Sequence, residues 1–580
     1  MKVDPHEVSA DSKGDRISGA NALVEILNGY GVEHVFCSPG SEWPPFWEEL
    51  ARRAAKGERT PGYLNIRHEE TAVAMASGYA KATGRLPAVL IHTTVGTLNA
   101  GLAMRAAYHE EVPMLVCAGE SIDFGETPGF NPGGQWIRYL ADRGGPARFA
   151  EPCVKWSFGV NSRAVLASSI HRACQIAMTP PCGPVFLSLP FEFLFEEVAG
   201  AIPRSYPRPS PQVPAPDLLD QAARMLASSS RPLIVAETVG RDVAAVARLV
   251  ELAELLAAPV VESTRQMYLN FPRDHPLHGG YDPAAYLADA DLVFLVGAVA
   301  PWHPPSAGPS AGAKVLTLDI NPLRPDLPYW GYNVDVSLAG EIGPALAHIV
   351  RVIRTTHAAG NRGERLAGLR KQHQKRRQEW NDEALGAKEA KPIDPRWFCR
   401  VLNTVLPEGA IVVEETIMHR TPIVRLLDRV MPGHFFGAES GGLGLGMGMA
   451  LGLKCASPEK PVVALIGDGS FNYNPVLAAL GFSQEYGRPM VTIVMNNAGY
   501  LSMKRGITAL YPEGWAARTN NFPGWAISPN PRYAELAKAF DACGETIEDP
   551  ADIEPALRRA FEAERSGRST LIDVRLAPDA

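Results

Sequence analysis

An α/β fold of three doubly wound, parallel-sheet domains is what this sequence predicts, and three observations predict it. Short apolar runs such as VVALI (462–466) alternate with longer segments of helical spacing, the pattern of βαβ units whose strands are covered on both faces. The alternation comes in three blocks, separated by a Pro/Ser-rich stretch (PRSYPRPSPQVP, 203–214) and a charge run within 356–392. A chain of 580 residues is long enough for three to four domains.

Residues 1–16 are polar, hold no apolar core of a secretory signal and read as a disordered leader. The first domain spans 17–200. Helical spacing over 20–29 stops at Gly29, a strand follows at 32–37, and the loop Ser38-Pro39-Gly40-Ser41 comes next. A further strand is expected to end at Arg67-His68-Glu69-Glu70, before a closely packed helix of small residues at 71–83. Strands are expected at 88–92, 114–119 and 185–189, and the Gly/Pro-rich 121–150 reads as a long loop that shapes a pocket. The central domain, 215–355, predicts helices at 217–228 and 241–256 and strands at 232–236, 259–262, 292–296 and 314–319. Trp302 and His303, in APWHPPSAGPSAG, sit in a loop suited to capping a pocket. The run RGERLAGLRKQHQKRRQEW predicts a solvated linker helix over 356–392. The last domain, 393–576, opens with a strand at 409–413 ending on Glu414-Glu415-Thr416.

Composition narrows the function classes. A net charge of -7 provides no basic footprint for nucleic acid. No apolar run approaches the roughly 20 residues needed to span a bilayer. The 8 cysteines form no CxxC pair, and several lie in apolar runs, as Cys117 does. Reduced, buried thiols in a cytoplasmic protein fit that pattern better than zinc or disulfides.

The chemistry is concentrated between Val462 and Tyr500. Two apolar runs, 462–466 and 490–495, each deliver a polar group at the C-terminal end, where open α/β sheets bind ligands. Asp468 supplies a carboxylate and Asn497 an amide oxygen, hard ligands of the kind Mg²⁺ takes together with phosphate oxygens. Gly467 and Gly469 allow a tight turn and a close approach to a diphosphate. By itself this could also be a βαβ crossover with a Gly-Asp turn.

Gly467-Asp468-Gly469 followed by Asn496-Asn497 resembles the diphosphate-binding motif of thiamine diphosphate (ThDP) enzymes. The string HEExxxxMAxGYAxxxG, from His68 to Gly84, resembles the cofactor-activating segment of their pyruvate oxidase/acetolactate synthase/2-oxo acid decarboxylase branch. The resemblance covers the chain from residue 17 onward and implies the ThDP-binding fold: a pyrimidine (PYR) domain, a Rossmann-like domain and a diphosphate (PP) domain. It places on Glu69 the glutamate that bonds N1′ of the aminopyrimidine, with Glu70 as the less favoured neighbour. A buried carboxylate can share a proton with that ring nitrogen because burial raises its pKa. The loop Ser38–Ser41, the histidine in IHTTVGTLNAG, and the stretches Val154-Lys155-Trp156-Ser157 and GPVFLSLPFEF are most similar to benzoylformate decarboxylases. That similarity implies Ser41 as anchor of the substrate carboxylate and His92 as proton relay. FPRDHP implies a second histidine, His275, although His-Pro pairs also recur with no such role.

In the last domain the resemblance implies that Glu415 and Thr416 lie beside the diphosphate, with Met418 and His419 near the pocket. It implies that the Gly441 carbonyl bonds the 4′-amino group, and that Leu443 is the apolar wedge bending the cofactor. Ser470 and Tyr500 join Gly467 and Gly469 around it, and the Gly499 carbonyl completes the protein ligands of Mg²⁺ with Asp468 and Asn497. This sequence departs from the family in a longer loop between Ser41 and Glu69, in His109-Glu110-Glu111, and in the length of 121–150.

The implied reaction is ThDP- and Mg²⁺-dependent cleavage of a carbon–carbon bond next to a carbonyl. Decarboxylation of a 2-oxo acid through a C2-carbanion and enamine leads, with acetolactate synthase-like carboligation and 2-hydroxyacyl-CoA lysis as alternatives. In the family the cofactor lies between one subunit's first domain and another's third, so a homodimer is the expected minimum and a homotetramer the common assembly. A flavin or nicotinamide oxidoreductase is the reading of a different class. It needs a G-x-G-x-x-G turn after Ile234, where VAETVG stands instead, so FAD is not expected.

Overall fold

A computed structural model describes residues 16–578 except 124, 127–129, 135–141, 200–201, 264–265, 326, 328–330, 356–361 and 439–441. The leader, most of its 16 residues, lies outside that set. The chain forms two compact units, the first running to Pro209 and the second from Ser210 onward, with 81–83 joined to the second.

The first unit holds a 6-stranded parallel sheet of β2 (His34–Cys37), β3 (Gly62–Asn65), β4 (Ala88–His92), β5 (Met114–Glu120), β6 (Trp156–Gly159) and β7 (Pro184–Pro190). Its spatial order is β3-β2-β4-β5-β7-β6. A separate antiparallel pair, β1 (Arg16–Ser18) with β8 (Glu197–Ala199), ties the start of this unit to its end and is not legible in the sequence.

The second unit holds two 6-stranded parallel sheets. The central one is β9 (Pro232–Ala236), β10 (Val260–Glu262), β11 (His278–Gly280), β12 (Leu292–Val296), β13 (Lys314–Asp319) and β14 (Val336–Ala339), ordered β11-β10-β9-β12-β13-β14. The third is β15 (Ile411–Glu415), β16 (Phe435–Gly437), β17 (Val462–Gly467), β18 (Val491–Asn496), β19 (Cys543–Ile547) and β20 (Thr570–Arg575), ordered β16-β15-β17-β18-β20-β19. The first and third sheets thus share one topology. In both, the order reverses between the first strand and the third, β2/β4 and β15/β17, and a crevice opens at the carboxyl ends there. The central sheet has the dinucleotide-fold order and reverses between β9 and β12.

These strands form where the sequence is apolar on both faces. Val462 to Ile466 of β17 are all buried, the four larger side chains each contributing on the order of 2 kcal/mol through burial. The helix after β3 corrects one expectation. It runs Glu69–Thr83, so Glu69 opens the helix instead of closing a strand. The His68 side chain caps it by accepting from the Glu70 N–H, and two acidic residues in the first turn suit the helix dipole. Gly84, at φ 65°, ends it.

The charge run is a helix over Arg362–Gly386, but its arginines are not simply solvated. Arg365 donates to the carbonyls of Ser230, Leu256 and Ala257, Arg376 to that of His278, and Arg377 pairs with Asp428. The helix therefore staples the central sheet to the third. Arg273 adds to that joint, donating to the Leu427 carbonyl at 2.8 Å and stacking on Phe435. All eight cysteines are free, and among the described residues no helix is long and apolar enough to cross a membrane.

Candidate active site

In the first unit the candidate residues converge on the carboxyl edge of β2, β3 and β4. His92 ends β4, and its Nδ1 lies 2.7 Å from Oε2 of Glu42, whose side chain is 0% exposed. Glu42 is a residue at this edge that sequence reasoning missed. It stands next to Ser41, whose hydroxyl is 3.5 Å from Oε1, and nothing in the local sequence shows that the loop after β2 folds onto the end of β4. Two glycines make room for it. A Cβ on Gly40 would lie 2.4 Å from both Glu42 Oε2 and His92 Nδ1, and one on Gly119 would lie 2.4 Å from the Glu42 Cβ. With Glu42 ionised, Nδ1 donates to it, the ring is fixed, and Nε2 remains to meet a ligand. The backbone turns sharply after His92, through Thr93 at φ 34°. Glu69 is half-buried, accepts from the Asn99 amide at 3.3 Å, and packs against Gly96, where a Cβ would stand 3.2 Å from its Cγ.

The third sheet builds its half at β15, β17 and β18. Asp468 is buried at the end of β17. Its Oδ1 accepts from the Gly469 N–H at 2.8 Å and its Oδ2 from the Gly499 N–H at 2.9 Å. Burial pushes its carboxyl up to about 6 against the pull of these donors. The Asn497 amide lies 3.0 Å from Asp468 Oδ1 and 2.9 Å from the Gly499 carbonyl. A carboxylate, an amide and a main-chain carbonyl thus converge. With the amide oxygen turned inward they form an all-oxygen donor set suited to a hard divalent cation. Among the described residues no three His, Cys, Asp or Glu side chains cluster for a metal, so this mixed set is the candidate.

The turns around it separate glycines that packing demands from one that it does not. A Cβ on Gly469 would meet the Tyr500 ring at 3.0 Å, and one on Gly499 the Trp525 carbonyl at 2.6 Å. At Gly467 the nearest atom would be 3.9 Å away, so a ligand has room to approach the backbone. Ser470 is buried in the short helix Asp468–Phe471, and Tyr500 precedes the helix Leu501–Leu510.

Glu415, expected beside the diphosphate, has its carboxylate engaged by the protein. It accepts from the N–H groups of Gly444, Leu445 and Gly446 at 2.7, 2.8 and 3.0 Å and from the Asn474 amide at 2.8 Å. Those N–H groups lead into the helix Gly446–Ala456, so Glu415 caps that helix from a neighbouring strand. Burial nevertheless pushes its carboxyl up. The same turn carries Leu443, which is half-buried. Gly441 lies outside the described residues. Thr416 is buried and donates to Glu414, which also pairs with Arg420. His419 is buried with Nε2 unpartnered, and burial pushes its imidazole down to about 4.

In the second unit His275 closes a turn before β11, with Nε2 3.3 Å from Glu254 and Nδ1 accepting from the Leu277 N–H. At the carboxyl edge of the central sheet, buried Glu237, just past β9, accepts from the N–H groups of Val299 and Ala300, and Thr238 donates to the Gly297 carbonyl.

Three models of thiamine pyrophosphate enzymes match the chain in order: the N-terminal TPP-binding domain over 17–124, the central domain over 219–349 and the C-terminal TPP-binding domain over 418–574. A benzoylformate decarboxylase of Pseudomonas aeruginosa is 27% identical over 562 residues, covering 94% of this chain and 97% of that one. A sulfoacetaldehyde acetyltransferase of Rhodobacter capsulatus is 26% identical over 595 residues, covering 96% and 94%. Among solved structures, a thiamin diphosphate-dependent enzyme from Mycobacterium smegmatis superposes with a TM-score of 0.77 at 25% identity, covering 97% and 100%. Two like-ordered sheets, an oxygen donor set beside an open glycine turn, and matches to all three domains lead to one conclusion: the chain belongs to the thiamine pyrophosphate enzyme family.

Proposed function

We propose that this protein is a Mg²⁺-dependent 2-oxo acid decarboxylase of that family, with the first domain over 17–200, the central one over 215–355 and the last over 393–576. The observation that carries the proposal is the ring of His92 held at Nδ1 by buried Glu42, one residue from Ser41. A release of CO₂ followed by protonation needs an anchor for a carboxylate and a held proton donor, and a serine beside an oriented histidine supplies both. Bound ThDP supplies a nucleophilic carbon and an electron sink. Asp468, Asn497 and the Gly499 carbonyl would hold Mg²⁺, and Gly467, Gly469 and Ser470 would face the diphosphate. Glu69 would hold a proton at the aminopyrimidine ring, Ser41 would bind the substrate carboxylate, and His92, as an imidazolium whose Nδ1–H stays on Glu42, would deliver its Nε2 proton to the substrate carbon that has lost CO₂ and be left neutral. The minimum assembly in this reading is a homodimer, with a homotetramer expected.

A second reading, transfer of the acyl fragment to another acceptor, is favoured by the similarity to sulfoacetaldehyde acetyltransferase. One experiment separates the two: CO₂ release and aldehyde formation measured across aliphatic and aromatic 2-oxo acids with ThDP and Mg²⁺. Turnover with aldehyde as product is expected, falling about 10²–10⁴-fold in Glu69→Gln. No turnover of any 2-oxo acid would sink the decarboxylase reading, and CO₂ release with acyloin as sole product would favour the second. Undiminished aldehyde formation in His92→Ala would remove His92 from the chemistry.

A further inference from the structure

We propose that the central domain carries a second small-molecule site, for an organic anion, at the edge of its sheet opposite the carboxyl ends of the strands. A cavity of about 380 Å³ opens there, between the starts of β9 and β10 and the helix Arg362–Gly386. That volume lies within the range of small-molecule sites, about 300–1,000 Å³.

Its charge is unbalanced. Arg231, Arg365 and Arg376 line it against a single carboxylate, Asp289. None of the three arginines forms an ion pair among the described residues. Arg365 donates only to main-chain carbonyls, and the nearby Asp291 carboxylate offsets part of its charge without forming an ion pair. Arg376 donates to the His278 carbonyl and approaches the Tyr286 hydroxyl at 3.4 Å, and its Nε is buried with no partner. Its guanidinium also lies over the Trp380 ring, 5.7 Å from the centroid, and an oxyanion in the cavity would balance the charge that these neutral partners leave.

The remaining wall selects the rest of the ligand. Tyr286, Leu369 and the prolines at 232 and 259 form an apolar surface next to the cationic one. The ligand class is therefore a carboxylate or phosphate head group on a compact apolar body. Arg365, Leu369, Gln372 and Arg376 recur on one face of the helix that staples the central sheet to the third, so an occupant bears on that joint.

The test is calorimetric titration of the ThDP- and Mg²⁺-loaded protein with phenyl phosphate, cyclohexanecarboxylate and inorganic phosphate. We expect at least one of the two organic anions to bind once per chain, at least tenfold more tightly than inorganic phosphate. Arg231→Ala, which removes an exposed cation, and Ala285→Trp, which fills the cavity, should each weaken that binding at least tenfold without changing turnover. Which organic anion binds decides between phosphate and carboxylate. No binding of either organic anion at millimolar concentration would overturn the site, and so would affinity unchanged in both variants.

Discussion

The first and third sheets share a strand order, and each has a buried glutamate at its crevice, yet the two glutamates do opposite things. Glu42 takes a side chain: it reaches across from the loop after β2 to hold His92. Glu415 takes main chain: it collects three N–H groups and an amide, and fixes the turn ahead of the helix Gly446–Ala456. The central sheet has a third such residue, Glu237, which takes two main-chain N–H groups of the loop after β12. A carboxylate near a strand end can orient a histidine, fix a turn or bind the next loop. Which it does depends on the donors that the neighbouring loop presents.

This comparison can be broken at its strongest point first. Asp468→Asn removes the one charged ligand of the oxygen set beside Glu415, and roughly 100-fold or weaker Mg²⁺ binding is expected. Metal titration followed by quenching of tryptophan fluorescence reads it. Unchanged Mg²⁺ affinity would remove the metal assignment.

Glu415→Gln is the next largest. The amide turns a donor toward N–H groups that need acceptors, at a cost of about 1–3 kcal/mol. A lower thermal midpoint together with weaker ThDP binding is expected. Loss of ThDP binding at unchanged stability would mean that Glu415 meets the cofactor directly.

Glu42→Gln should behave differently if the contrast is right. The ring of His92 loses its fixed tautomer, and kcat is expected to fall about 10–100-fold with a shifted pH profile. Mg²⁺ and ThDP binding should stay as they were. Equal loss of cofactor binding in this variant would erase the distinction between the two glutamates.

The smallest effect lies in the joint of the second unit. Burial pushes His373 down to about 4, and it pushes buried His278, paired with Glu262, down as well. A histidine depressed in the folded state adds stability above its unfolded value of about 6.5, and that stability is lost as pH falls through the folded value. The thermal midpoint should therefore drop between about pH 6.5 and 4. His373→Gln should flatten that drop, whereas Glu42→Gln should leave it alone.

Much of the scaffold is legible in the sequence because its causes are local. Runs such as 232–236, 292–296 and 314–319 are apolar on both faces and become strands with those bounds. No strand is expected from the sequence at β6, β11, β14 or β16, and all four lie at sheet edges, where one side lacks a partner and the apolar signal is weak. β20 is the exception, an inner strand. The start of the helix at Glu69 was obscured because its cap, His68, is not among the usual N-cap residues.

By itself the sequence determined the three-block α/β organisation, the pairing of Asp468 with Asn497 at two strand ends, and the family. Each follows from residue type and spacing along one stretch of chain. Only the tertiary structure decided that Glu42 holds His92, that Glu415 caps a helix, that Glu237 binds the loop after β12, and that the arginines of Arg362–Gly386 grip two sheets. Each of these joins groups distant along the chain through a carboxylate or guanidinium with several hydrogen-bonding directions. Spacing cannot say which donor or carbonyl will come to meet such a group, because backbone crossings made elsewhere in the chain bring it there.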